Sequence, residues 1–208
     1  MTDPTTPAVQ SFTAGRMSEA DFLAACELHH AAFPKPGRGL DEVIAKKRPV
    51  WMDAGRSGAA NPDTAAATPP PVRYAVVEGG RWLANAASLV RTVGTEAGDL
   101  TVCGLFDVAT HPNARGRGLA VAVTQAVFNA VNDGTYPFCM FQTGAARKFY
   151  ETKFGATLVT NEIVNTHAAG DPEANPFTDE FVMRYPGEPA SGGTPWPAGR
   201  IDLRGPGF

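Results

Sequence analysis

VATHPNARGRGLAVAVTQAVF, residues 108–128, decides how this chain is read. It begins as a strand, passes through Arg115, Gly116, Arg117 and Gly118, and continues as a helix with Leu119, Val123, Val127 and Val131 on one face. A helix start leaves its first N–H groups without partners, and the aligned peptide dipoles make that end partly positive. Phosphate is a natural ligand for such an end. Glycines at 116 and 118 let the chain curl so that several N–H groups converge, and they keep side chains out of the way. Arg115 and Arg117 bring charge to the same place. The stretch is not a Walker loop, because GxxxxGK[ST] is absent. Nor is it a dinucleotide fingerprint, because GxGxxG does not fit and no acidic residue ends a following strand at the usual distance. On these residues alone, a pyrophosphate cradle and a solvated turn both stay open.

The surrounding sequence supplies the frame. Residues 72–78 are apolar and β-branched, Gly79-Gly80 is a hairpin turn, 82–93 reads as the return strand, and 100–110 follows the turn GTEAGD, which predicts an antiparallel meander. Past the helix, which Gly134 ends, residues 135–143 read as a buried strand and 144–153 as a short helix. Residues 156–165 and 180–185 read as further strands, with a polar loop between. Ahead of the meander, an edge strand is expected within 8–13. A helix capped by Ser18 then carries Phe22, Leu23, Cys26 and Phe33 and stops near Pro34, and a second helix spans 40–51. Residues 1–16 read as a flexible leader and the Ala/Pro/Gly/Asp-rich stretch 52–71 as a mobile loop. The Gly/Pro-rich tail 186–208 has Trp196, Ile201, Leu203 and Phe208 as apolar anchors to pack it back on the domain.

Composition narrows the class. The 208 residues are 43% hydrophobic, enough for one sizeable core. A net charge of −3 gives no footprint for nucleic acid. Cys26, Cys103 and Cys139 are far apart and read as reduced core thiols, and His29-His30 reads as a helix boundary, so no metal is expected. No signal peptide is visible, and no apolar run reaches the roughly 18 residues of a membrane span. The expectation is a cytoplasmic protein that binds neither membrane nor nucleic acid.

Two motifs make the reading specific. R-x-x-G-x-A, here Arg115, Gly118 and Ala120, follows a strand and opens an amphipathic helix. About thirty residues on, AARKFYETKFGA carries Ala146, Phe149, Tyr150 and Gly155 at the spacing A-x-x-[LF]-Y-x-x-x-G. Together they resemble the GCN5-related N-acetyltransferase (GNAT) superfamily, over about residues 17–185 and most sharply over 100–156. The resemblance implies an α+β fold, an α/β/α sandwich whose mixed, mostly antiparallel sheet of six to seven strands splays at the acyl-CoA site. It implies that Val108, Ala109 and Thr110 bond the pantetheine arm through their main chain and polarise the thioester. Arg115, Gly116, Arg117, Gly118, Leu119 and Ala120 would hold the pyrophosphate, and Tyr150 would protonate the leaving thiolate. An aromatic core pair is the plainer reading of Phe149-Tyr150.

The chain departs from the family pattern in places. Thr143 stands near the cofactor where the family often has Asn, and Ala156 follows the motif glycine where Phe is usual. Phe106 occupies the strand position where many members carry a glutamate base. Asp107 is next door, on the opposite face by strand alternation, and is a candidate buried acid. Glu162, His167 and the terminal carboxylate of Phe208 are further candidates. The tail also resembles, more faintly, the aminoglycoside 2'-N-acetyltransferase and nodulation N-acyltransferase branch. The function implied is transfer of an acetyl group from acetyl-CoA to a primary amine of a small acceptor, by direct attack in a ternary complex. A non-catalytic acyl-CoA sensor on the same fold and a plain scaffold are the alternatives. Trp51, Trp196 and Phe208 are either acceptor-lining or ordinary core, and a homodimer is left open.

Overall fold

A computed structural model of the chain describes residues 7–53, 69–166, 171, 174–188 and 193–208. Most of the 52–71 stretch, the first six residues of the leader and His167 lie outside them. The chain folds as two compact units: Met1–Leu89 with Asp107–Val127, and Val90–Phe106 with Phe128–Phe208.

The first unit opens with β1 (Gln10–Thr13) and α1 (Glu19–Ala32). Ser18 Oγ accepts from Asp21 N at 3.1 Å, so the cap satisfies an N–H that the helix cannot. The next helix, α2 (Leu40–Trp51), ends one turn after Lys47 with Pro49 inside it. β2 (Val72–Glu78) and β3 (Arg81–Thr95) make a hairpin through Gly79 and Gly80, both at positive φ, as the tight hairpin turn requires. The strand order here is β1-β2-β3, antiparallel throughout. The end of β4 (Gly98–Thr110), a 3-10 turn (Pro112–Ala114) and most of α3 (Leu119–Asn132) complete the unit. Phe22, Leu28, Val43, Trp51, Val76, Trp82 and Val123 are among its buried side chains.

The second unit continues β3 and β4 and adds β5 (Cys139–Thr143), α4 (Arg147–Phe154), β6 (Thr157–Leu158), β7 (Ile163–Val164), β8 (Phe181–Tyr185) and β9 (Ile201–Asp202). Its order is β3-β4-β5-β8-β6, with β9 pairing β3 antiparallel and β7 parallel. β4 and β5 run parallel and share only two register pairs, Cys103↔Cys139 and Gly104↔Met140. β5 goes on to Thr143 in an unbroken ladder with β8. The seven strands of the two series agree with the six to seven expected, and β7 and β9 are two-residue additions.

Three sequence boundaries differ. The strand expected over 135–143 starts only at Cys139, because Asp133 Oδ1 accepts from both Thr135 N and Oγ1 and holds a turn there. The strand expected over 156–165 is two short pieces. Asn161 sits between them and donates to Pro197 O at 3.0 Å and Gly199 O at 2.6 Å, binding the tail instead of a strand. The hairpin turn expected across GTEAGD is tighter: β3 runs to Thr95 and β4 starts at Gly98.

The tail packs within the second unit. Ile201, Leu203 and Phe208 are buried, and the Phe208 ring covers Gly104, where an added Cβ would lie 2.8 Å from the ring. Among the described residues no helix is long and apolar enough to cross a membrane.

Candidate active site

In the first unit the curl after β4 is built stepwise. His111 N donates to Leu83 O at 2.8 Å, which anchors the strand end on β3. His111 Nδ1 accepts from Asn113 N at 3.3 Å, and Ala114 is buried beneath the 3-10 turn. The chain then turns outward, and residues 115–118 are all exposed. Gly116 has φ 79° and Gly118 φ 76°, the left-handed region that favours glycine. A Cβ at either would meet no heavy atom within 4 Å, so conformation fixes glycine there and the space above the curl is open. The bond from Ala122 N to Gly118 O, 3.2 Å, marks the first turn of α3. The N–H groups of Leu119, Ala120 and Val121 precede that ladder, as in any helix start. Arg117 pairs with Glu78 at 2.5 Å, both half-exposed. This open, N–H-rich bend has the donor set and the room that a diphosphate needs.

Immediately before the curl, β4 contains an irregularity that the sequence does not announce. Asp107 has φ 54°, a strained value for a non-glycine residue within a strand. Its carboxylate receives Lys47 Nζ and, at 3.1 Å, Arg73 Nη2, while His29 Nδ1 stands 3.7 Å away. Its carbonyl accepts from Asn85 Nδ2, and Arg73 Nη1 donates to Asn85 Oδ1 at 3.0 Å. The Arg73 guanidinium also lies over the Trp51 ring, 4.1 Å from its centre. So the kink is fixed from both its side chain and its main chain. The left-handed backbone at Asp107 is an irregularity that the alternation used for its expected placement does not include.

The electrostatics follow from burial. Burial pushes the Asp107 carboxyl upward, but Lys47 and Arg73 outweigh it and hold the group at about 2. Burial lowers the Lys47 ammonium, with Asp107 opposing, and burial also lowers Arg73. His29 is pushed down to about 4, by burial first and then by Lys47, so it is neutral at pH 7.

The second unit carries the other motif. Tyr150 sits on α4, 5% exposed, with its ring 4.6 Å from Phe141 and 5.0 Å from Phe149. Burial drives its phenol well above the ordinary range, so it keeps its proton at neutral pH. Gly155, at φ 68°, closes the helix, its N–H bonded to Glu151 O. Thr143 is buried at the end of β5, opposite Phe181. Phe106 is partly buried. Glu162 lines a polar groove of about 630 Å³ with Glu96, Trp196 and Arg200.

Within the first unit the structure thus gathers Asp107, Val108, Ala109, Thr110 and residues 115–120 along one strand and the bend after it. Sequence reasoning missed Lys47, Arg73, Asn85 and His29 as a group. The available signals were Arg73 inside the apolar run VRYAVVE and Asn85 inside LANAAS, both on strands whose neighbours are buried.

Neither a protein-family model nor a curated protein matches the chain. Solved structures do. YhbS of Escherichia coli, a GNAT family N-acetyltransferase solved in complex with CoA, superposes with a TM-score of 0.58 at 14% identity, over 98% of this chain and 93% of that one. A conserved protein of unknown function from Enterococcus faecalis, named as a probable N-acyltransferase, gives 0.53 at 14% identity over 74% of this chain. A GCN5-related N-acetyltransferase from Anabaena variabilis gives 0.52 at 13% identity over 73%. The chain spans about a third of the length of these last two proteins, 33% and 32%. At such identities the likeness is one of fold, and the fold of this chain is that of the GCN5-related N-acetyltransferases.

Proposed function

We propose that the chain is an N-acyltransferase that moves an acetyl group from acetyl-CoA to a primary amine by direct attack in a ternary complex. The observation that carries this reading is the exposed curl at residues 115–118, with Gly116 and Gly118 at positive φ, open space above them and a helix start behind them. Arg115, Gly116, Arg117, Gly118, Leu119 and Ala120 hold the diphosphate. The main chain of Val108, Ala109 and Thr110 takes the pantetheine amides, and one N–H of that segment polarises the thioester carbonyl. Thr143 also serves the co-substrate. Acetyl-CoA supplies the acyl group as an activated thioester.

Two side chains have chemical roles. Tyr150 stays protonated at neutral pH and donates to the departing thiolate. Asp107, at about 2 and fully engaged by Lys47 and Arg73, is too weak a base to take a proton from an ammonium. Its part is positional: it fixes the kink that aims the main chain at Val108. An acceptor amine that is already neutral needs no dedicated base. The buried, unbridged thiols Cys26, Cys103 and Cys139 support work in a reducing cytoplasm.

One observation favours a second reading. Phe106 and the paired Asp107 leave the end of β4 before the curl without an available carboxylate, which suits an acyl-CoA sensor. Thiol release from acetyl-CoA with a panel of amines separates the two. Turnover that falls in Tyr150→Phe supports the enzyme. Tight coenzyme A binding with no thiol release from any amine supports the sensor.

A further inference from the structure

The cluster around Asp107 holds more positive than negative charge. Lys47 and Arg73 share one carboxylate, and Arg38 stands close enough to act on His29 as well. Arg38's own partner, Glu42, lies 3.3 Å away with its side chain 64% exposed. Two buried atoms of the cluster, His29 Nδ1 and Arg73 Nε, have no hydrogen-bond partner among the described residues. A buried excess of charge is costly unless an opposite charge meets it. Arg73 is 1% exposed, but the side chains of Lys47, Asp107 and His29 keep 13%, 14% and 17%, so the cluster reaches solvent on that side. Lys47 has three donors, of which Asp107 takes one.

The cluster is also next to the proposed chemistry. Asp107 precedes Val108 directly, and successive Cα atoms are about 3.8 Å apart. An anion seated at Lys47 therefore lies within a small molecule's length of the main chain assigned to the acyl arm.

We propose that Lys47 and His29, backed by Arg73, form a subsite for a carboxylate of the acceptor, so that the preferred acceptor is a primary amine bearing a carboxylate a few bonds away, such as an amino acid. This deepens the acyl-transfer reading and rests on it. Lys47 supplies the charge-assisted hydrogen bonds, Arg73 supplies fixed positive potential from below, and Asp107 keeps both cations in place.

The test pairs acids with their amides. Glycine, β-alanine and phenylalanine are compared with glycinamide, β-alaninamide and phenylalaninamide. Thiol release gives kcat/KM, and calorimetry on the coenzyme A-loaded protein gives Kd. The free acids are expected to be favoured about tenfold or more, the scale of one charge-assisted bond. Lys47→Met should bring the acid-to-amide ratio toward one, mainly through KM, and Lys47→Arg should keep the preference. Should Lys47→Met not fold, the wild-type and Lys47→Arg ratios still decide. Coenzyme A binding with acids and amides handled equally overturns the subsite. So does a preference for phosphoethanolamine over every carboxylate. A carboxylate preference in Kd with no thiol release keeps the subsite and faults the acyl-transfer reading instead.

Discussion

Arg73 and Asp107 form an ion pair at 3.1 Å in which the arginine is 1% exposed and the aspartate occupies a strained backbone position, φ 54°. The pair joins β2 to β4 and sets the chain direction one residue ahead of Val108. Asp107→Asn removes the charge and leaves Lys47 and Arg73 buried beside each other. It should cost about 3 kcal/mol of stability, the usual scale for breaking one side of a buried pair. Chemical unfolding of the two proteins at neutral pH measures it. A loss within experimental error would mean that solvent already screens the pair.

Stability should also fall in two stages as pH is lowered. His29 drops from 6.5 to about 4 on folding, so between those values the unfolded chain binds the extra proton. Acid therefore destabilises the fold across that window, by about 3 kcal/mol when the window has been crossed. Asp107 drops from 3.8 to about 2, so its contribution is present above the higher value and lost below it, about 2 kcal/mol more. Urea midpoints followed from pH 7 to pH 3 by circular dichroism should show the first stage in the native chain and not in His29→Gln.

Glu78 pairs with Arg117, one of the two arginines of the proposed phosphate site. Its pair with Arg117 is half-exposed and so contributes little to stability. Glu78→Gln should leave the unfolding midpoint nearly unchanged while tightening coenzyme A roughly two- to fivefold, an effect that salt reduces. Titrations at low and high ionic strength check both parts.

Tyr150 is enclosed by Phe141 and Phe149 and holds its proton firmly. Tyr150→Phe keeps the ring and removes only the hydroxyl. If that hydroxyl serves the leaving group, kcat should fall by roughly 10²-fold while the dissociation constant for coenzyme A stays put. Equal losses in both would show that the hydroxyl acts on binding rather than on the leaving group.

Much of this was legible because local rules dominate at particular residues. Ser18 capped its helix, Gly79-Gly80 turned its hairpin, and the two glycines of RGRG took the positive φ values that a curl demands. These signals act over a few neighbouring residues, so sequence displays them directly. The cluster at Asp107 draws on α1, α2, β2, β3 and β4, which are brought together only by the fold. No spacing in the chain encodes that meeting. Nor does an alternating pattern show the left-handed backbone at Asp107. The strand expected over 156–165 failed for a related reason: Asn161 is bonded to a tail about 36 residues away. Phe208 likewise found its place against Gly104 through packing that no local pattern foretells.

The proposed acyl transfer requires that the curl at residues 115–118 take a diphosphate. Calorimetric titration of coenzyme A into the native chain and into Gly118→Val decides it, since valine resists the φ of 76° that this bend requires. The expected result is one coenzyme A bound per chain, with affinity reduced tenfold or more in a Gly118→Val protein that remains folded. Identical binding by both proteins, or no heat from a folded native chain, would contradict it.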